Sequence, residues 1–70
     1  MDVMEYYEKA LKEFDDVMTV DDLCKALKIG RNAAYRILKE GRILTLRNGR
    51  NHLIPKINVI NYLISCTNYR

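Results

Sequence analysis

Seventy residues, 49% of them hydrophobic, can close one small core and leave no room for an effector domain, a nucleotide pocket or an elaborate active site beside it. Cys24 and Cys66 lie far apart and His52 is the one histidine, so the chain lacks the clustered Cys/His pairs of a structural zinc site, and no cofactor is expected. Met1-Asp2-Val3-Met4-Glu5 has neither the basic start nor the apolar run of a signal peptide, and no stretch reaches the ~20 apolar residues of a membrane span, so the expectation is a reduced cytoplasmic protein.

The net charge of +3 is unevenly distributed. Residues 1–18 hold six acids (Asp2, Glu5, Glu8, Glu13, Asp15, Asp16) against Lys9 and Lys12, giving −4. Residues 19–56 hold nine bases against Asp21, Asp22 and Glu40, giving +6. That polarity suits a basic surface for phosphate and an acidic segment turned away from it.

In the first segment Met4, Tyr7, Leu11, Phe14 and Met18 alternate spacings of three and four, a single stripe that predicts an amphipathic helix over residues 1–18. Glu5/Lys9 and Glu8/Lys12 are i, i+4 pairs in the favourable order. The end is expected near Asp15-Asp16, where acids oppose the negative pole of the helix dipole. Two heptads are too short for a coiled coil, so the stripe is expected to pack within the chain.

Thr19 followed by Asp22 is a capping-box pattern that starts a second helix running to about Leu27 and burying Leu23, Ala26 and Leu27. Cys24 fits that helix as a small hydrophobe, while Cys66 near the C-terminus is the more reactive of the two. Lys28-Ile29-Gly30 forms a short turn, with Gly30 as cap of a third helix from Arg31 to about Glu40. Its inner side is Ala34, Ile37 and Leu38, and Gly41 is placed for the left-handed residue that ends it. Arg31, Asn32, Ala33, Tyr35, Arg36 and Lys39 are left for the other faces. Arg31 and Arg36 can reach guanine or phosphate, Asn32 can pair with adenine, and Ala33 is short enough for close approach. Tyr35 can meet a phosphate through its hydroxyl or pack its ring on the neighbouring hairpin.

Asn48-Gly49 between Ile43–Arg47 and Arg50–Ile54 reads as a two-residue β-hairpin turn, since both residues accept positive φ. Arg47, Asn48, Gly49, Arg50 and Asn51 then form the tip, able to lie along a DNA backbone or in a minor groove. His52 is expected to be a strand residue with a satisfied hydrogen bond, since no acid or nucleophile accompanies it at catalytic spacing. Pro55 at a first helical position should open a last helix, about Lys56 to Ser65, with Ile57, Ile60, Tyr62, Leu63 and Ile64 on its apolar side.

The order of a capped helix, a turn, a polar helix, a hairpin and a last helix predicts a mostly helical α+β fold. It is a winged helix-turn-helix over residues 19–66 with a two-stranded wing and an extra N-terminal helix, together one compact domain. The run from about residue 18 to 63 resembles the small winged helix-turn-helix domains of the excisionase family, which share the reader head of MerR-type regulators. The matching pieces are Thr19-Val20-Asp21-Asp22, Leu27-Lys28-Ile29-Gly30-Arg31, Tyr35 to Ile43, Leu46-Arg47-Asn48-Gly49-Arg50 and Ile54-Pro55-Lys56. Lys28 stands where the family often has Gly, and Asn51-His52 where a basic residue followed by an aromatic is common. The resemblance implies a sequence-specific protein that binds double-stranded DNA at repeated sites near the end of an integrated element. Such a protein bends the DNA, self-associates along it and orients a tyrosine recombinase (integrase) towards excision.

A small transcriptional regulator with the same reader head is the alternative, marked by a palindromic site and a dimerising N-terminal helix. A winged domain that binds protein would have lost its basic face, and Arg31, Arg36, Lys39, Arg47 and Arg50 argue against that. An enzyme is not expected, because no base, nucleophile and oxyanion donors occur together.

Overall fold

Asp2 caps the first helix, α1 (Val3–Ala10), by accepting the Met4 N–H on its Oδ1 at 3.3 Å in the computed structural model, which describes residues 2–49 and 51–67. Met4, Tyr7 and Phe14 pack against the core and Leu11 is buried within it, so the stripe faces inward, and α1 lies against the last helix. The helix does not extend over residues 1–18. It closes after Ala10 in a tighter turn, with the Phe14 N–H donating to the Leu11 carbonyl at 3.0 Å, and Val17–Met18 leaves as a strand, β1. Two acids at a helix C-terminus are unfavourable, and extended backbone gives Met18 full burial instead. Lys56 completes the stop. Its Nζ donates to the Leu11 and Phe14 carbonyls at 3.3 and 2.8 Å, adding a second bond at Leu11 and satisfying the Phe14 acceptor beyond the helix end. A residue counted with the basic surface is therefore a structural clamp.

The second helix, α2 (Val20–Leu27), starts with both halves of the capping box formed: Thr19 Oγ accepts the Asp22 N–H, and Asp22 accepts the Thr19 N–H. It buries Val20 and Leu23 and ends at Lys28, which holds the left-handed region at φ 57° and ψ 48°. The third helix, α3 (Arg31–Lys39), packs on α2 through buried Ala34. It ends at Gly41, φ 75°, where the Gly41 and Arg42 N–H groups donate to the Leu38 and Ile37 carbonyls at 3.1 Å each. Both helices thus end through a left-handed residue, once with glycine and once without. Lys28→Gly is expected to stabilise the protein by about 0.5–1 kcal/mol, and Gly41→Ala to destabilise it by about 1 kcal/mol. A Cβ at Gly41 would meet nothing within 4 Å, so the backbone carries that whole cost. Urea titrations followed by circular dichroism check both; a stabilising Gly41→Ala would contradict the left-handed cap.

Strands β2 (Leu46–Asn48) and β3 (Asn51–Pro55) form the hairpin, and β1 joins the other edge of β3, giving an antiparallel sheet of order β1-β3-β2. The wing hairpin therefore belongs to a three-stranded sheet. Asn48 pairs with Asn51, so Asn48 belongs to the ladder and Asn48-Gly49 is not the two-residue turn. Gly49 supplies the positive φ, 67°, and Arg50 lies outside the described residues. The expected turn would set Arg47 opposite Arg50, two like charges, whereas the observed register sets it opposite His52. Ile43 lies ahead of β2 as a buried core residue, and Asn58 Nδ2 holds the Leu44 carbonyl at 2.9 Å.

Pro55 closes β3 opposite Val17 instead of opening the helix. Its missing N–H costs no ladder bond, because the bond to β1 comes from the next residue, Lys56 N–H to the Asp16 carbonyl at 2.7 Å. The last helix, α4 (Lys56–Thr67), buries Val59 and Ile60, while Ile57, expected inside, is half exposed. Burial raises the pKa of the Tyr62 phenol above its usual value, with Cys66 adding in the same direction and Arg42 opposing. Cys24 is half-buried and Cys66 is exposed.

Candidate nucleic-acid interface

With Ala34 buried and Ile37 and Leu38 half-buried, the helical repeat sorts the rest of α3 into rows. Arg31, Tyr35 and Lys39 form one i, i+4 line, and Asn32 and Arg36 form a second; all five are exposed, while Ala33 is half-buried between them. The first line runs beside the hairpin. The Tyr35 ring meets the His52 ring edge-on, with centroids 6.0 Å apart and planes at 60°. Tyr35 keeps 44% of its surface exposed, so it packs on the wing and still presents a face to solvent.

Two open clefts flank this contact. One is lined by Arg31, Tyr35, Asn51 and His52 together with Thr19 and Asp21 at the start of α2. The other is lined by Tyr35, Lys39, Thr45, Arg47 and His52. Arg31, Tyr35 and Lys39 are thereby joined to Arg47 and Asn51 across the helix–hairpin seam. Asn32 and Arg36 lie on the outer row of α3, Gly49 is exposed at the turn and Asn48 ends β2. Arg50, the remaining expected tip residue, is outside the described residues.

His52 differs from its expectation. Its Nδ1 is buried and has no hydrogen-bond partner among the described residues, the ring being held by its packing against Tyr35. Residue types alone did not mark His52, Thr45 or Asp21 as part of this surface. His52 and Thr45 enter through strand register. Asp21 enters through an ion pair with Arg31 that spans the start of α2 and the start of α3. No local sequence signal marks a pair ten residues apart.

The carboxylates of α1 and its following turn (Glu5, Glu8, Glu13, Asp15, Asp16) are exposed, on elements that pack against α4. Among the described residues no group of three or more His, Cys, Asp or Glu is placed to hold a metal ion, and no helix is long and apolar enough to cross a membrane. The surface is thus a row of long cationic and amide side chains on a helix, buttressed by a cationic hairpin. Such a shape fits a major groove with its flanking phosphates. The family model described as a helix-turn-helix domain matches residues 17–67. Comparison with curated proteins and with solved structures gave no match.

Proposed function

We propose, given that this chain belongs to the helix-turn-helix domain family, that it works as an excisionase-like architectural factor on double-stranded DNA. At the coarser level it is a DNA-binding helix-turn-helix protein, from a family of DNA-binding and not catalytic domains. The observation that supports DNA binding is the Tyr35–His52 contact, beside which Lys39 and Arg47 line one cleft and Arg31 the other. Residues 19–66 form the reading unit. α3 enters the major groove with Arg31, Asn32, Ala33, Arg36 and Lys39 towards base edges and phosphates, and Tyr35 donates its hydroxyl to the backbone. The hairpin, through Arg47, Asn48, Gly49, Arg50 and Asn51, grips the neighbouring backbone or minor groove.

A cationic helix and wing that engage two grooves at once favour DNA curved towards the protein, which is the basis for the architectural role. Copies on adjacent sites would then stabilise a bend that orients a tyrosine recombinase, in the compartment where the DNA lies. A gel-shift titration on circularly permuted probes from the DNA flanking its gene, with random competitor present, tests this. Stepwise, specific complexes whose mobility depends on site position are expected. Specific binding without bending would replace the architectural role with that of a simple transcriptional regulator, and no binding at low salt would leave a protein-interaction module.

A further inference from the structure

We propose that Asp21 is a positioning residue for base reading: it holds the Arg31 guanidinium at the N-terminal end of α3 so that the remaining Arg31 donors meet a guanine edge. This role rests on the DNA-binding reading above. Three acids lie in residues 19–56, and two are otherwise engaged. Asp22 Oδ2 accepts the Thr19 N–H at 3.2 Å to close the capping box, and Glu40 Oε1 pairs with Arg42 Nε at 2.9 Å. Asp21 Oδ1 instead receives Arg31 Nη2.

Stability does not account for this pair. Arg31 and Asp21 side chains are 57% and 61% exposed, and ion pairs at that exposure contribute little to folding. The α2 dipole does not require it either, because Asp22 already places a carboxylate in the same first turn. On a surface that meets phosphate, moreover, a free carboxylate weakens attraction. Its position next to Arg31 has a clearer consequence in geometry. Guanidinium carries five N–H donors in a rigid fork, and engaging one on Nη2 leaves the other Nη2 donor and both Nη1 donors for a bidentate bond to guanine O6 and N7. A fork fixed beforehand loses less side-chain entropy on meeting a base and is costly to redirect towards a phosphate. Asp21 would therefore lower affinity for DNA in general and raise discrimination at one base pair.

Site selection from a random duplex pool with the full chain supplies the preferred sequence. Fluorescence anisotropy then gives Kd on that duplex and on a scrambled one for the wild type, Asp21→Asn, Asp21→Glu, Arg31→Ala and the Asp21→Asn/Arg31→Ala double variant. Asp21→Asn is expected to bind the scrambled duplex more tightly, by roughly threefold from the loss of one negative charge, while the ratio of specific to scrambled affinity falls about tenfold. Asp21→Glu should recover part of that ratio, and the double variant should match Arg31→Ala in the ratio while binding both duplexes more tightly. Equal tightening on both duplexes, with the ratio unchanged, would overturn the positioning role and leave Asp21 a plain charge brake. A wild-type protein that binds neither duplex at low salt would overturn the DNA-binding reading itself, and the role of Asp21 with it.

Discussion

Raising monovalent salt from about 50 to about 200 mM is expected to weaken DNA binding roughly a thousandfold, the product of a log–log slope near −5 for about five to seven neutralised phosphates. The structure narrows which cations contribute. Lys56 is committed to the Leu11 and Phe14 carbonyls and is not free for phosphate, while the charge of Arg42 is offset by Glu40 through Nε. Of the other bases in residues 19–56, Arg31, Arg36 and Lys39 project from α3 and Arg47 from β2, Lys25 and Lys28 lie at the end of α2, and Arg50 lies outside the described residues. Most of the binding free energy should thus be counterion release, shared by all sequences, with discrimination left to a few contacts on α3. Anisotropy titrations at several salt concentrations measure the slope directly. A value near zero would remove the electrostatic mechanism and, with it, DNA as the partner.

Met18→Ala is expected to cost about 2–5 kcal/mol of stability, a large share of what so small a domain can hold. Met18 is fully buried, pairs with Ile54 and lies on the edge strand that closes the sheet over the core. Truncating it would remove the apolar contacts of the side chain and leave a cavity between β1 and α2, with little freedom to collapse while Lys56 ties the preceding turn to β3. Urea unfolding followed by far-ultraviolet circular dichroism gives the number. A loss below about 1 kcal/mol, as expected of an exposed residue at a frayed helix end, would mean that β1 is not part of the sheet.

The same residue shows where the sequence was legible and where it was not. The helix-turn-helix could be read locally because its boundaries are set by bonds that span only a few residues. Thr19 and Asp22 cap one another, and Gly41 lets the Gly41 and Arg42 N–H groups reach back to Leu38 and Ile37. The rows of α3 follow from the helical repeat, so Arg31, Asn32, Tyr35, Arg36 and Lys39 could be placed on the surface before any packing was known. Periodicity failed at the N-terminus because Met18 continues the spacing of Met4, Tyr7, Leu11 and Phe14, and a buried residue on a strand needs no different side chain from one on a helix.

The sequence by itself therefore determined the helix-turn-helix, the polar face of α3, the hairpin and the division of charge, since each depends on neighbours within about one or two turns. Tertiary structure decided that Val17–Met18 becomes a third strand, that Asn48 stays in the hairpin ladder opposite Asn51, and that Lys56 leaves the basic surface to bond carbonyls 42 and 45 residues earlier. It also decided that Tyr35 meets His52 and that Asp21 meets Arg31. Apart from the hairpin register, which is a local pairing, these share one physical reason. Each joins residues that no local preference brings together, and each forms only once the core of Leu23, Ala34, Ile43 and Ile54 has fixed the distance between the helices and the sheet.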